Sequence, residues 1–481
     1  MKRILTLVLV FLFLILIVFA KDVNIVHIND FHGRLVPQVQ KVYKEYSYTV
    51  AGAEYISSII KNIRENNDNV FLFDAGDFSA GTIYSNLSHG MSVVDFYNYL
   101  GFDAVVIGNH EFDFGYESFV KMVKSLSTNV LCANAVPIFE NTKPFIVLNK
   151  YGLNVAVVGL LTPETKMITM PNALGGRDIV DPIESLKRYK SDILKHNPDI
   201  VIVLSHCGLR VDENVAKNVD YVDLIIGGHS HTELFEPVVV ENNGKKIYIV
   251  QAGSYGKYVG HIKLNIQNKK INSFEYRLYP TINAIIAPDR SAKSVIQKYV
   301  SEADKYSSKI IGRSEVTMDK NNKDKNLNLG TFIANVLAYV SGSDIAFYNN
   351  GGIRDVLHKG EITYGQIFNI LPFENSLVKF KMRGSDIIKL LNNLDNKKTK
   401  LHYNEDLENI GGKWYLKGKE IREDEFYTVS TVDFLYYGGD GYTEFSSYPV
   451  IKNYGYSREL LVEYIRNNSP ILGSKILVTS K

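Results

Sequence analysis

The sequence predicts an α/β protein of two domains. Three observations carry that prediction. Short apolar, β-branched runs alternate with longer segments of helical period, which is the pattern of α/β folds. Five of those runs end in Asp, Asn or His, mostly beside small residues. The alternation weakens across 282–292, around Pro288, and resumes beyond a single helix-like stretch, so a second unit follows the first. At 481 residues the chain is long enough for two substantial cores.

Lys2 and Arg3 precede an unbroken apolar run from Ile4 to Ala20, and Val18 and Ala20 suit the small-residue positions before a signal-peptidase cut. Residues 1–20 are therefore expected to be a leader. Cleavage after Ala20 implies export to the periplasm, cell surface or extracellular space, with no membrane attachment afterwards. An uncleaved run of this length would instead be an anchor. Lys and Arg number 54 against 52 Asp and Glu, a net charge of +2, which offers no field suited to a nucleic acid polymer. Two cysteines rule out a disulfide framework. Cys132 lies in an apolar run and Cys207 follows His206, and a single 132–207 bridge is left open.

The first strand is expected over 23–28 and is followed by Asn29-Asp30-Phe31-His32-Gly33. The polar, Tyr-rich stretch 37–50 reads as a surface loop. Residues 51–66 read as a helix, with apolar positions at Tyr55, Ile56, Ile59, Ile60 and Ile63. A strand over 70–73 leads into Asp74-Ala75-Gly76-Asp77, and helices are expected over 94–100 and 117–126. Between them a strand over 104–107 runs into Gly108-Asn109-His110-Glu111-Phe112-Asp113. A strand over 154–160 and a helix over 183–195 precede the strand at 200–204, which ends in Ser205-His206. The strand at 224–226 ends in Gly227-Gly228-His229-Ser230-His231. A last strand over 246–251 runs into Ala252-Gly253-Ser254-Tyr255-Gly256, a turn without an obvious ligand. The first domain is thus expected over 21–285.

In an open α/β sheet, ligands gather at the carboxyl ends of strands. A lone Asp or His at such an end is usually a solvated loop residue; five such ends in order are not explained that way. Mixed oxygen and imidazole donors suit two divalent transition ions, Zn²⁺, Mn²⁺ or Co²⁺, rather than an all-oxygen Ca²⁺ cage. Two ions held close together need a shared carboxylate, and Asp77 is the candidate. One ion is then assigned Asp30, His32, Asp77 and His231. The other is assigned Asp77, Asn109, His206 and His229. His110, held in one tautomer by Asp113, is the candidate proton donor.

A helix over 291–307 fills the connector, 286–312, and the second domain occupies 313–481. It opens with a helix over 329–340 and a strand over 345–348 that ends in Asn349-Asn350-Gly351-Gly352-Ile353-Arg354. Adjacent glycines let the backbone turn beside a ligand, and Arg354 offers a planar fork matched to phosphate oxygens.

DFHG at 30–33, GD at 76–77, GNHEFD at 108–113, SH at 205–206 and GGHSH at 227–231 resemble the calcineurin-like metallophosphoesterases. NNGGIR at 349–354, LPF at 371–373 and FLYYGGDGY at 434–442 resemble the carboxyl-terminal domain of the 5′-nucleotidases. The resemblance implies a four-layer α/β/β/α metallophosphoesterase sandwich joined by a helical connector to an α/β 5′-nucleotidase domain. It implies a nucleotide substrate whose base is clamped between Phe373 and Phe434, with Asp440 at the ribose and Asn349 beside Arg354. It also implies hydrolysis of nucleoside 5′-monophosphates. A 2′,3′-cyclic-nucleotide phosphodiesterase/3′-nucleotidase and a UDP-sugar hydrolase are alternatives with the same chemistry. Members often carry an Arg shortly before the Asn-x-Gly of the second domain. This chain has Lys325 there, which keeps the charge and loses the bidentate fork.

Overall fold

The computed structural model describes residues 20–43, 46–170, 172–394 and 399–476. Nearly all of the expected leader therefore lies outside the described residues. No described helix is long and apolar enough to cross a membrane.

Two six-stranded sheets form the first domain. In one the order is Lys270–Pro280, Tyr258–Gln267, Lys21–Ile28, Val70–Asp74, Ala104–Val106, Asn129–Leu131. In the other it is Val238–Asn242, Lys245–Val250, Leu224–Gly227, Ile200–His206, Leu153–Leu161, Phe145–Lys150. The central strands, such as Val70–Asp74 and Ile200–His206, are buried on both faces because each face meets a different layer. Val23, Ile25, Phe71, Phe73 and Val106 of the first sheet pack against Val155, Val157, Ile200, Ile202 and Leu204 of the second. One residue along, the side chains point outward. Val26, Leu72 and Val105 meet Ile56, Ile60, Val94 and Phe119 of the helices on one side. Ala156, Val201 and Val203 meet Leu186, Ile193 and Val215 on the other. The result is helix, sheet, sheet, helix, and each fully buried large apolar side chain contributes about 1.5–3 kcal/mol.

Residues 37–50, expected as a loop, instead pair as the strands Gln38–Tyr43 and Tyr46–Val50, and Val50 bridges to Ile282. Their Val, Tyr and Thr content favours a pleated backbone whatever the polarity between.

The connector helix is Arg290–Ser307, capped by Asp289, whose carboxylate accepts from the Ser291 amide at 2.9 Å. Ala292 and Ile296 pack into the first domain's helical layer. Near its other end, Ala303 meets Ile83 of the first domain and Phe368 of the second. The second domain is a five-stranded sheet, ordered Leu401–Tyr403, Ile345–Asn349, Phe426–Val432, Ser376–Arg383, Lys452–Tyr456. Helices Leu329–Ser341, Gly384–Asn392 and Ser457–Asn468 complete its core. Cys132 and Cys207 are both buried free thiols.

Candidate active site

Five strand ends converge at one edge of the stacked sheets, where three overlapping groups of ligating atoms form. They are Asp30, His32 and His231; Asp77, His206 and His229; and His32, Asp77 and His110. Asp77 Oδ2 lies 3.0 Å from His206 Nε2 and 3.8 Å from His32 Nε2, so its carboxylate links the second group to His32 of the first. His231 Nε2 lies 3.3 Å from Asp30 Oδ1. Asn109 Oδ1 lies 3.1 Å from His229 Nδ1.

The backbone turns to make this possible. Asp30, His32, Asp77, His229 and His231 all have positive φ, between 49° and 69°. That left-handed conformation costs a residue other than glycine on the order of 1 kcal/mol or more and persists where surrounding contacts impose it. The contacts are present here. His229 N donates to both Asp30 oxygens at 3.1 Å, His32 N donates to Asp77 O, and His110 N donates to Asp77 Oδ1 at 2.8 Å.

The donor set fits cations. His206 Nδ1 lies 2.7 Å from Ala75 O and His32 Nδ1 3.0 Å from Ala80 O, so each ring gives its proton to a carbonyl and keeps Nε2 for the cluster. His32 Nε2 then meets His231 Nε2 at only 3.1 Å. His206 Nε2 is buried without a well-aligned hydrogen bond, although Asp77 is close. Nitrogen lone pairs turned toward a common point in a buried site are what a metal would satisfy.

Electrostatics follow from burial and proximity. Burial alone would raise Asp77, but His206 and His110 outweigh it and hold its carboxyl well below the usual range. Burial drives His32 well below an ordinary imidazole. At His110, burial is outweighed by the Asp113 and Asp77 carboxylates, which raise the imidazole to about 9. Asp113 Oδ2 is 2.8 Å from His110 Nδ1.

Residues that sequence reasoning left unassigned hold this cluster. Glu111 is buried, and its carboxylate accepts from the amides of Asp77, Phe78, Ser79 and Gly108. It ties the loop after the strand Val70–Asp74 to the loop after the strand Ala104–Val106. Gln251 accepts from Ser230 Oγ at 3.0 Å and donates to Gly228 O at 2.9 Å, bracing the two-histidine turn. Glu111 had the signal of lying inside the GNHEFD motif, whereas Gln251 ends a strand with no ligand motif beside it. Gly108 matters sterically: a Cβ there would lie 2.2 Å from Asp77 Oδ1 and 2.5 Å from Asp77 N. Gly108→Ala is expected to cost about 1–3 kcal/mol through overpacking and to weaken metal binding. Thermal unfolding with and without added Mn²⁺ measures both, and an unchanged metal-dependent stabilisation would count against this packing.

The second domain closes over the cluster. Arg354, Phe373, Phe434, Asn349 and Asp440 line one cavity of about 550 Å³ together with Asp77, Asn109, His110, His229 and His231. Phe373 stacks on His110, with centroids 5.4 Å apart and planes at 11°. Asn349 Nδ2 donates to Asp440 Oδ2 at 2.8 Å, so these two residues are joined to each other. Lys325 is not brought here. It opens the short turn Lys325–Leu327, capped by Asp324, and lines a separate pocket with His402 and Tyr403. The lysine that reaches the glycine turn is Lys320, whose ammonium donates to Asn350 O at 3.1 Å and to Ile353 O.

Residues 23–233 match the family model for calcineurin-like phosphoesterases, and residues 310–447 match that for the 5′-nucleotidase carboxyl-terminal domain. The chain belongs to the 5′-nucleotidase family. A 5′-nucleotidase of Vibrio cholerae is 28% identical over 511 residues, spanning 93% of this chain and 91% of its own. An apyrase of Tabanus yao is 28% identical over 518 residues, with coverage of 93% and 91%. The crystal structure of a 5′-nucleotidase precursor from Thermus thermophilus superposes with a TM-score of 0.83 at 26% identity, covering 93% of this chain and 96% of that one. Calcineurin-like phosphoesterases depend on a dinuclear metal centre, and the candidate clusters lie inside the stretch that matches their model.

Proposed function

We propose that this chain is an exported metal-dependent phosphoric monoester hydrolase of the 5′-nucleotidase type, releasing nucleoside and phosphate from nucleoside 5′-monophosphates. The single observation that carries the reading is the shared cavity. Its one wall is the carboxylate–histidine cluster, and its other wall presents an arginine and two phenylalanines. A phosphate ester with an aromatic base is the ligand that uses both walls. The relatives named 5′-nucleotidase support the same reaction. Export rests on the leader at 1–20.

Asp30, His32, Asp77 and His231 would hold one divalent ion, Zn²⁺, Mn²⁺ or Co²⁺. Asp77, Asn109, His206 and His229 would hold the other, with Asp77 shared. Such a pair of ions would supply charge neutralisation for the phosphoryl group and would lower the pKa of water enough to provide hydroxide as nucleophile near neutral pH. His110 holds its Nδ1 proton toward Asp113, which leaves Nε2 to carry the proton delivered to the leaving oxygen. Arg354 provides the fork for the phosphate oxygens. Phe434 and Phe373 offer apolar faces to the base, and Asp440, accepting from Asn349, keeps acceptor capacity for a ribose hydroxyl.

Steady-state rates on AMP, 2′,3′-cyclic AMP and UDP-glucose, with metal analysis of the purified protein, test the assignment. A preference for either of the latter two would replace it. Phe434→Ala gives the cleaner test of base binding, because Phe373 also packs on His110. Loss of one stacking face costs ~1–3 kcal/mol, roughly a 5- to 150-fold fall in kcat/KM on AMP. Hydrolysis of p-nitrophenyl phosphate, which has no nucleobase, is expected to fall much less. Equal losses on both substrates would make Phe434 a core residue and remove the clamp.

A further inference from the structure

The turn after the strand Lys245–Val250, without an obvious ligand in its sequence, puts Tyr255 at the junction of both domains. Its backbone is left-handed, with φ 59°, and its amide donates to Asp30 O at 2.6 Å. Its ring lies 5.3 Å from His32, at 44°, and 5.3 Å from His231, edge-on at 77°. The guanidinium of Arg34 sits over the same ring, 4.7 Å from its centroid. Arg34 is only 7% exposed, and its Nε and Nη1 have no hydrogen-bond partner, so the ring face and the nearby Asp355 carboxylate are what compensate that buried charge. The phenol is thereby fixed on several sides. Its hydroxyl accepts from Arg354 Nη2, which comes from the second domain, at 2.9 Å.

We propose that Tyr255 is a positioning residue that docks Arg354, and with it the second domain, beside the metal-ligand cluster. The inference rests on the phosphate-ester reading above. A carboxylate at this place would also grip Arg354, but it would spend the positive charge that a phosphate needs. A phenol accepts one guanidinium hydrogen and leaves the charge whole. Arg354 also lies with Cζ 5.8 Å from the Phe373 centroid, and Phe373 stacks on His110. Two of the second domain's contacts with the first thus lie at the site, one beside each functional half. Tyr255 makes the contact on the side of Asp30, His32 and His231.

The test uses the full-length, metal-loaded protein. Tyr255→Phe keeps the ring and removes only the hydroxyl. Binding of inorganic phosphate is expected to weaken roughly 10- to 100-fold, the scale of one hydrogen bond to a charged group, with metal content unchanged. The same fall is expected in kcat/KM for AMP. In an Arg354→Lys background, removing the hydroxyl is expected to cost less than about threefold, because its partner has gone. Equal losses in both backgrounds overturn the proposal. So does an unchanged phosphate affinity. Loss of metal in Tyr255→Phe would show instead that the hydroxyl serves the metal-ligand cluster itself, and would also overturn the proposal. Phosphate binding is measured whether or not AMP is the substrate. An inactive wild type that still shows the coupling would therefore sink the nucleotidase reading and leave this one standing.

Discussion

Asp77→Asn is expected to lose metal and activity together. The carboxylate lies 3.0 Å from His206 Nε2 and 3.8 Å from His32 Nε2, so it reaches ligand candidates in both halves of the cluster. An amide keeps the shape and removes the charge that offsets two cations in a site where Asp77 is 2% exposed. The loss in metal affinity should exceed the roughly 10- to 100-fold that follows removal of an outer partner of a ligand. The hydrogen bond from His110 N to Oδ1 survives the change, so the loop is expected to keep its path. Elemental analysis of the purified variant reads the result directly. Two ions per chain at wild-type affinity would remove Asp77 from the bridge.

His110→Ala separates chemistry from binding. Loss of a positioned acid is expected to lower kcat by about 10²- to 10⁴-fold while both metal sites fill normally. The contact that matters to the metal side, His110 N to Asp77 Oδ1, is made by the backbone and remains in the variant. His110 also comes within reach of His32 and Asp77, so a ligand role is a concrete rival. Its Nδ1 is engaged by Asp113 at 2.8 Å, which is the geometry of an oriented acid. Depletion of one metal in His110→Ala would decide for the ligand role, and Asp113→Asn would then be expected to retain most of its rate.

The strands that carry the cluster were legible because each is a continuous apolar run stopped by polar and small residues. The run at 23–28 is part of the strand Lys21–Ile28, and 200–204 of Ile200–His206. Alternating burial on two faces leaves a continuous hydrophobic signal that needs no partner to be recognised. The hairpin at 38–50 was missed because its polar content outweighs its β-branched content in a local reading. Lys325 and Lys320 are the instructive pair. Both precede the same helix, and sequence order favours Lys325, yet a capped turn directs Lys325 to a separate pocket and leaves Lys320 at the glycine turn.

By itself the sequence determined the α/β class, the division into two domains, the identity of the strand-end Asp, Asn and His residues, and the His110–Asp113 pair. These are local properties: periodicity, composition and spacing over a few residues. Only the tertiary structure decided that Asp30 and His231, or Asp77 and His206, stand within bonding reach, since they belong to loops up to 201 residues apart joined by the stacking of two sheets. It also decided that Glu111 and Gln251 brace the loops, that Asn349 pairs with Asp440, and that Tyr255 receives Arg354. Such partners have no signature in the chain, because a hydrogen bond depends on where two groups meet in space and not on what precedes them in sequence.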